Sequence, residues 1–313
     1  MSTILVVKPG LLTTVQDLGR WGLQSSGVGV AGPMDPLAHR LANALVGNTR
    51  DRAVLEITLI GPEIEFDDER AVAVAGARFE LTLDGQPVPP EVPFTVRQGS
   101  RLRFGQRVAG ARAYLSIQGG ISVPPTLGSR STHLGSRIGG AAGRSLAAGD
   151  RLPLGDPGSS RARQAKSPPR RELPGGHARV RVLHGPDADR FPSTALDSLQ
   201  SAPYRIGRDS DRMGFRLEGP AIDHVRGADI ISDATPLGVL QVPASGQPLL
   251  LMADRQTTGG YARLATVISA DIGLAGQLAP GDSISFAVCS RREAMAALIA
   301  EERLLMGIEA AQA

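Results

Sequence analysis

Short runs of Val, Ile, Leu and Ala, broken by glycine or polar residues, recur along this chain and read as strands. The first covers residues 4–7 and is stopped by Pro9-Gly10. From Ala53 to Arg107 strand follows strand, at 54–59, 63–66, 71–75, 79–83, 94–96 and 101–104, with Asp84-Gly85 as a hairpin turn. Another run, 113–118, ends at Gly119-Gly120, and the second half continues with 178–183, 230–232 and 237–242. Two stretches have helical spacing instead. Asp35 and Pro36 open a helix whose Leu37, Ala38, Leu41, Ala42, Leu45 and Val46 share one face, with Gly47 as terminator. His39 and Arg40 fall on its solvated side, and Asp35 reads as a cap in preference to a catalytic acid. Near the C-terminus, Ser290 and Glu293 form a capping box, Met295, Leu298, Ile299 and Leu305 make an apolar face, and Gly307 marks the end.

The stretch from Pro248 to Ala270 organises the second half. Apolar residues run to Ala253 and resume after Gly260, which reads as strand, short loop, strand. The loop holds Asp254, Arg255, Gln256, Thr257 and Thr258, followed by Gly259, Gly260 and Tyr261. A solvated hairpin tip needs only one or two turn formers. A carboxylate, a guanidinium, an amide and two hydroxyls together therefore favour a ligand-binding loop over a merely polar one. Similar clusters occur at Gln16, Asp17, Gly19 and Arg20 beside the only tryptophan, at Arg130 between Ser129 and Ser131, and at Asp211 and Arg212 before Gly214. Such groups suit holding an oxyanion, a carboxylate or a phosphoryl group. None is an obvious nucleophile, which fits a site completed by another chain.

Composition narrows this picture. The 313 residues suffice for two domains, and with aromatics at 4% their cores must be aliphatic. The 38 glycines and 23 prolines agree with many turns between short strands. Lys8 and Lys166 are the only lysines, the net charge is +3, and the arginines are dispersed without stacking aromatics, so nucleic-acid binding is not expected. Cys289 is the single cysteine, which excludes an intrachain disulfide and reads as a small buried hydrophobe. Histidines 39, 133, 177, 184 and 224 lack metal-ligand spacing, so no metal site is expected. Neither a phosphate-binding G-x-x-x-x-G-K-[ST] nor a G-x-S-x-G elbow is present. No apolar run reaches ~18 residues and the first residues lack a signal-peptide core, so a cytoplasmic protein without membrane contact is expected. Between Asp156 and Gly176 Ser, Pro and Arg replace apolar residues, which marks a linker at 158–176 between domains at 1–157 and 177–313. A weak echo, such as Leu59-Ile-Gly-Pro against Leu217-Glu-Gly-Pro, supports two related halves.

Several of these segments together carry a resemblance. They are Thr13-Thr-Val-Gln-Asp-Leu-Gly-Arg, Gly32-Pro-Met-Asp, Ala42-Asn-Ala-Leu-Val-Gly-Asn, Leu127-Gly-Ser-Arg-Ser-Thr, Ser210-Asp-Arg-Met-Gly, Gln241-Val-Pro and Met252-Ala-Asp-Arg-Gln-Thr-Thr-Gly-Gly-Tyr. In this order they resemble the allophanate hydrolase subunit 2 family, also called the biotin-dependent carboxyltransferase-like family, and within it the branch of 5-oxoprolinase C subunits. The resemblance implies a mainly β fold of two tandem cyclophilin-like β-barrel domains with a few short helices and a C-terminal helix. Ala262 stands where relatives often have proline.

The resemblance further implies a hydrolase acting on a cyclic amide and active only in complex. Its partners would be a B subunit (allophanate hydrolase subunit 1-like) and an A subunit of the lactam-utilisation type. Together they would convert 5-oxoproline to glutamate at the cost of ATP with Mg2+, the B–C pair activating the lactam by phosphorylating its amide oxygen. On this view Arg255 and Arg212 hold phosphoryl or carboxylate charge, and Asp254 and Asp211 position them or move protons. Gln256, Thr257 and Thr258 orient substrate, with Gly259, Gly260, Tyr261 and Gln241 beside them, while Gln16, Asp17, Arg20 and Arg130 line the site or brace it. Two rivals stand against this. One is the carboxyltransferase component of a biotin-dependent urea carboxylase, although this chain lacks the biotin-accepting Met-Lys-Met. The other is a non-catalytic regulatory partner of a kinase-inhibitor-type protein.

Overall fold

The structure, a computed structural model, describes residues 2–158 and 171–312. Most of the linker expected at 158–176 lies outside the described residues. The chain packs as two compact units: Met1–Arg20, Ala31–Leu173 and Glu302–Ala313 form one, and Trp21–Val30 with Pro174–Glu301 form the other.

The first unit begins with strands β1 (Thr3–Lys8) and β2 (Leu12–Gln16) and helix α1 (Pro36–Leu45). Then follow β3 (Val54–Thr58), β4 (Glu63–Phe66), β5 (Arg70–Leu83), β6 (Gln86–Val88), β7 (Phe94–Val96), β8 (Arg101–Ile117) and β9 (Arg151–Pro153). These make a nine-stranded curled sheet, ordered β2-β3-β8-β4-β1-β9 with β5 branching from β8 to β6 and β7. Alternation along the strands separates two cores. Val72 and Val74 of β5 join Ile4, Leu55, Ile57, Leu102 and Leu115 on one face. Ala71, Ala73 and Ala75 turn the other way, against Ala38, Ala42 and Leu45 of α1. Small side chains there let the helix lie close to the sheet.

The expected strands at 71–75 and 79–83 are one strand, and so are those at 101–104 and 113–118. The glycines that read as breaks sit inside them. Gly76 has φ 89° where the β5–β8 register begins to shift, so it absorbs a bulge and the strand continues. Asp84 and Gly85 both have positive φ and turn β5 into β6, as expected. Asp35 accepts from the Ala38 N–H and caps α1.

His39 departs from the solvated position read from the helix period. It is fully buried, with Nε2 bonded to the Gln16 carbonyl. Arg40 is also largely covered and is paired with Glu302. Burial pushes the His39 imidazole down to about 4, against partial support from the Gln16 carbonyl and the charges of Asp17 and Glu56. His39 is therefore neutral in the fold and binds a proton more readily when unfolded, so its contribution to stability is complete above pH ~6.5 and lost as pH falls towards 4. That loss amounts to about 3 kcal/mol. Urea unfolding at pH 7 and pH 4.5 should show it, and His39→Gln should flatten the difference.

The second unit contains β10 (His177–His184), α2 (Ala195–Ser201), β11 (Tyr204–Ile206), β12 (Gly214–Glu218), β13 (Asp229–Ala234) and β14 (Val239–Gln241). It continues with β15 (Leu249–Leu251), β16 (Thr258–Tyr261), β17 (Arg263–Val267), α3 (Ser269–Gly276) and β18 (Ser283–Val288). Seven strands close a barrel in the order β10-β17-β14-β15-β12-β11-β18, sealed by parallel pairing of β10 with β18. Val180, Val182, Phe215, Leu240, Leu250, Ile284 and Phe286 are buried in it. The mainly β architecture with barrel-type sheets is thus borne out. Flanking the polar loop, β15 and β17 do not pair as a hairpin, because β14 lies between them. Thr258–Tyr261 instead leaves the barrel and forms a separate ribbon with β13.

Helix α4 (Arg291–Gln312) opens with the expected Ser290–Glu293 capping box. It does not stop at Gly307. An interior glycine costs about 1 kcal/mol in a helix, and burial of Leu305 and Ile308 in the core of the first unit carries the helix past it. Met295 and Ile299 of its expected apolar face are exposed, and Cys289 is only half-buried. Among the described residues no helix is long and apolar enough to cross a membrane.

Candidate functional site

The loop after β15 is built by two opposed chain segments. Backbone bonds from the Met252 N–H to the Met213 carbonyl and from the Asp254 N–H to the Arg212 carbonyl tie it to residues 212–213. Beneath it Asp254 and Arg212 form a buried two-point ion pair, Nε to Oδ2 at 3.1 Å and Nη2 to Oδ1 at 2.9 Å. Asp254 is thus spent on orienting Arg212. Asp211 is exposed, and its Oδ1 accepts from the N–H groups of Met213 and Gly214, which holds the turn before β12.

Arg255 is different. Its side chain is 7% exposed, yet its bonds go only to backbone carbonyls, Nε to Thr235 at 2.8 Å and Nη1 to Met252 at 3.4 Å. No carboxylate among the described residues pairs with it. Burial lowers its pKa to about 10, which still leaves it charged at neutral pH. Arg255 lines a cavity of about 460 Å³ together with Trp21, Gln24, Val30, Ala234, Thr235, Pro236, Leu237, Gln256, Thr257 and Arg263. Arg263 brings a second positive charge, and two carboxylates, Asp187 and Asp233, meet it at 2.8 and 2.9 Å. Among the described residues, Arg255 is therefore the one cation of this wall without a carboxylate partner.

Thr235 holds this loop in shape. Its carbonyl accepts from Arg255, its N–H donates to the Thr257 carbonyl, and its hydroxyl donates to the Gln256 carbonyl. Gln256 and Thr258 are exposed and Thr257 half-buried. Thr258, Gly259, Gly260 and Tyr261 form the ribbon strand β16. Gly259 lies against Gln241, where a Cβ would come within 2.6 Å of the amide nitrogen. Gln241 is buried, donates weakly to the Tyr261 carbonyl at 3.3 Å, and has an amide oxygen without a partner.

In the first unit, Gln16, Asp17, Arg20 and Arg130 gather around the loop 126–133. Asp17 Oδ1 accepts from the hydroxyls of Ser129 and Ser131, both at 2.6 Å, and from the Gly19 N–H, and Oδ2 accepts from the Arg130 N–H at 2.5 Å. Burial raises the Asp17 pKa, but these bonds outweigh it and hold the carboxyl below its ordinary range. Arg20 donates to the carbonyls of Ser131 and Thr126, Gln16 to Thr14 and the Thr132 carbonyl, and Arg130 to the Val123 carbonyl. The bonds of Asp17 to Ser129, Arg130 and Ser131, of Gln16 to Thr132 and of Arg20 to Thr126 and Ser131 fasten the loop to the end of β2 and the residues that follow it, which is the geometry of a brace.

Sequence reasoning found Arg255, Gln256 and Thr257 but not the rest of the cavity wall. Trp21 was notable only as a neighbour of Arg20, yet it belongs to the second unit. Thr235 sits in Ala-Thr-Pro-Leu, which has no chemical signature, and Arg263 reads as part of a strand. Among the described residues, no three His, Cys, Asp or Glu side chains converge as metal ligands.

Residues 26–288 match the family described as carboxyltransferase domain, subdomain A and B. The chain is 39% identical to the 5-oxoprolinase C subunit of Escherichia coli (strain K12) over 298 residues, covering 95% of each chain. To the 5-oxoprolinase C subunit of Haemophilus influenzae it is 37% identical over 282 residues, 90% of this chain and 89% of that one. The crystal structure of the K. lactis urea amidolyase matches with a TM-score of 0.92 at 32% identity, over 98% of this chain and 20% of that chain.

Proposed function

The chain belongs to the family of carboxyltransferase domains of the subdomain A and B type, and on that premise we propose that it is the C subunit of an ATP-dependent 5-oxoprolinase. Likeness to the two bacterial proteins along nearly their whole length supports this choice within the family. In the proposed complex, the B subunit together with this chain activates 5-oxoproline by phosphorylation of the amide oxygen, and the A subunit opens the ring to glutamate. The observation that carries the site assignment is Arg255, a buried cation on the wall of a cavity, without a carboxylate partner among the described residues. A desolvated unpaired charge is costly, so an anionic ligand or transition state is its natural partner.

The residues of this chain have limited roles in that scheme. Arg255 holds negative charge, Gln256 and Thr257 offer polar groups on the same wall, and the Arg212–Asp254 pair sets the loop. The wall does not fit a magnesium nucleotide: among the described residues it has no carboxylate free of an arginine, no lysine and no run of glycine N–H groups. The phosphoryl donor therefore belongs to the partner protein, and this chain binds and orients. A second reading, the carboxyltransferase component of a biotin-dependent urea carboxylase, has support from the likeness to the K. lactis urea amidolyase.

The test combines this chain with its cognate B and A subunits and follows glutamate release from 5-oxoproline. Release that needs both ATP and this chain supports the proposal. A well-formed complex without release refutes it and leaves carboxyl transfer to urea, or regulation without turnover. In the active complex, Thr235→Val should raise KM several-fold with a smaller change in kcat, because it frees the Gln256 carbonyl while retaining the backbone bonds to Arg255 and Thr257. Thr235→Ser should restore the wild-type values.

A further inference from the structure

The cavity beside Arg255 also constrains which part of a ligand it takes. A phosphate dianion would call for two matched charges and donors from several directions. Here two carboxylates, Asp187 and Asp233, already meet the single charge of Arg263 and would repel a dianion, while Arg255 is the one cation on this wall without a carboxylate partner among the described residues, which suits a monoanion. Arg255 spends Nε and one bond from Nη1 on carbonyls, so its remaining N–H groups lie along the Nη edge, the edge that pairs with a planar carboxylate. The rest of the wall is apolar in part, from Trp21, Val30, Pro236 and Leu237, with the Gln256 amide and Thr257 hydroxyl available to polar atoms. A space of about 460 Å³ accommodates a small ring with one acidic substituent.

We propose that this cavity recognises the carboxylate of a small ring-bearing monocarboxylic acid, with Arg255 taking the carboxylate and Trp21, Val30 and Leu237 taking the body of the ring. The inference rests on the reading that this cavity is the substrate site, and deepens it: the anchor is the acid group, not the amide to be cleaved. A neutral amide such as urea would leave the guanidinium uncompensated and bind more weakly.

Trp21, the only tryptophan, lies on the cavity wall and gives a direct signal. Its fluorescence in the full chain would be titrated with 5-oxoproline, cyclopentanecarboxylate, 2-pyrrolidinone, urea and inorganic phosphate. Equilibrium dialysis of labelled ligands would repeat the series on the complex of this chain with its B subunit. Both ring acids should bind, and 2-pyrrolidinone, the same lactam without its carboxylate, should bind roughly 10- to 100-fold more weakly. Arg255→Met should weaken the acids to the level of the neutral lactam, and Arg255→Lys should recover part of the loss. The proposal is overturned if 2-pyrrolidinone or phosphate binds as tightly as the acids, if folded Arg255→Met binds them unchanged, or if no acid binds either form. Acid binding in a complex without ATP-dependent glutamate release would sustain the carboxylate site and reject the 5-oxoprolinase assignment. Turnover with equal affinity for the neutral lactam would do the reverse.

Discussion

Replacing Arg255 by methionine lowers kcat/KM of the reconstituted complex by roughly 10²–10³-fold while the protein unfolds at an unchanged or slightly higher urea concentration; this is the expected result. The two halves have one cause. The guanidinium is desolvated and has no carboxylate partner among the described residues, so the empty fold bears a charge that a ligand or partner would relieve. Methionine removes that burden and fills a similar volume, at the expense of the bonds to the Thr235 and Met252 carbonyls. Steady-state kinetics and urea unfolding on the same preparation check both halves. A variant with normal turnover would remove Arg255 from the site, and one that fails to fold would show the side chain to be structural.

The second large effect concerns stability. Asp254→Ala leaves the Arg212 guanidinium buried without its two-point acceptor, and breaking such a pair from one side costs about 3–5 kcal/mol. The urea midpoint should fall accordingly, with activity lost because residues 255–257 follow directly from this anchor. The double variant Arg212→Met with Asp254→Leu should recover most of the stability, since apolar replacement of both partners is close to neutral. It should not recover turnover to the same extent, because the backbone of the loop would settle on a different support. Equal loss in the single and double variants would mean that the pair contributes nothing specific.

The contrast between these two arginines explains which parts of the molecule were legible from its sequence. Arg212 and Arg255 are equally conspicuous there, each next to a carboxylate, and only the fold shows that Asp254 reaches Arg212 and bypasses its chain neighbour. The strands were legible because β-branched and aliphatic runs alternate with turn residues. Their lengths were not, because Gly76 inside β5 and Gly105 and Gly110 inside β8 have the same local signature as chain-reversing glycines. The cap at Asp35 was legible because it depends on neighbours within one helical turn. His39 was not, because its burial depends on the carbonyl of Gln16, contributed from a different element. Thr235 acts through its backbone and a single hydroxyl, and its importance exists only where β13 ends beside the loop.

The pairing of β10 with β18 has a consequence for how the protein is made. The barrel opens with residues 177–184 and closes only when residues 283–288 arrive to lie parallel beside them. Until the ribosome releases that last strand, both β10 and β11 present unpaired edges, and aliphatic side chains destined for the interior have nothing to cover them. A nascent chain stalled after residue 206 and before residue 283 therefore carries both open edges. Chaperone supply during synthesis, more than the stability of the finished barrel, should govern the yield of this polypeptide in a cell.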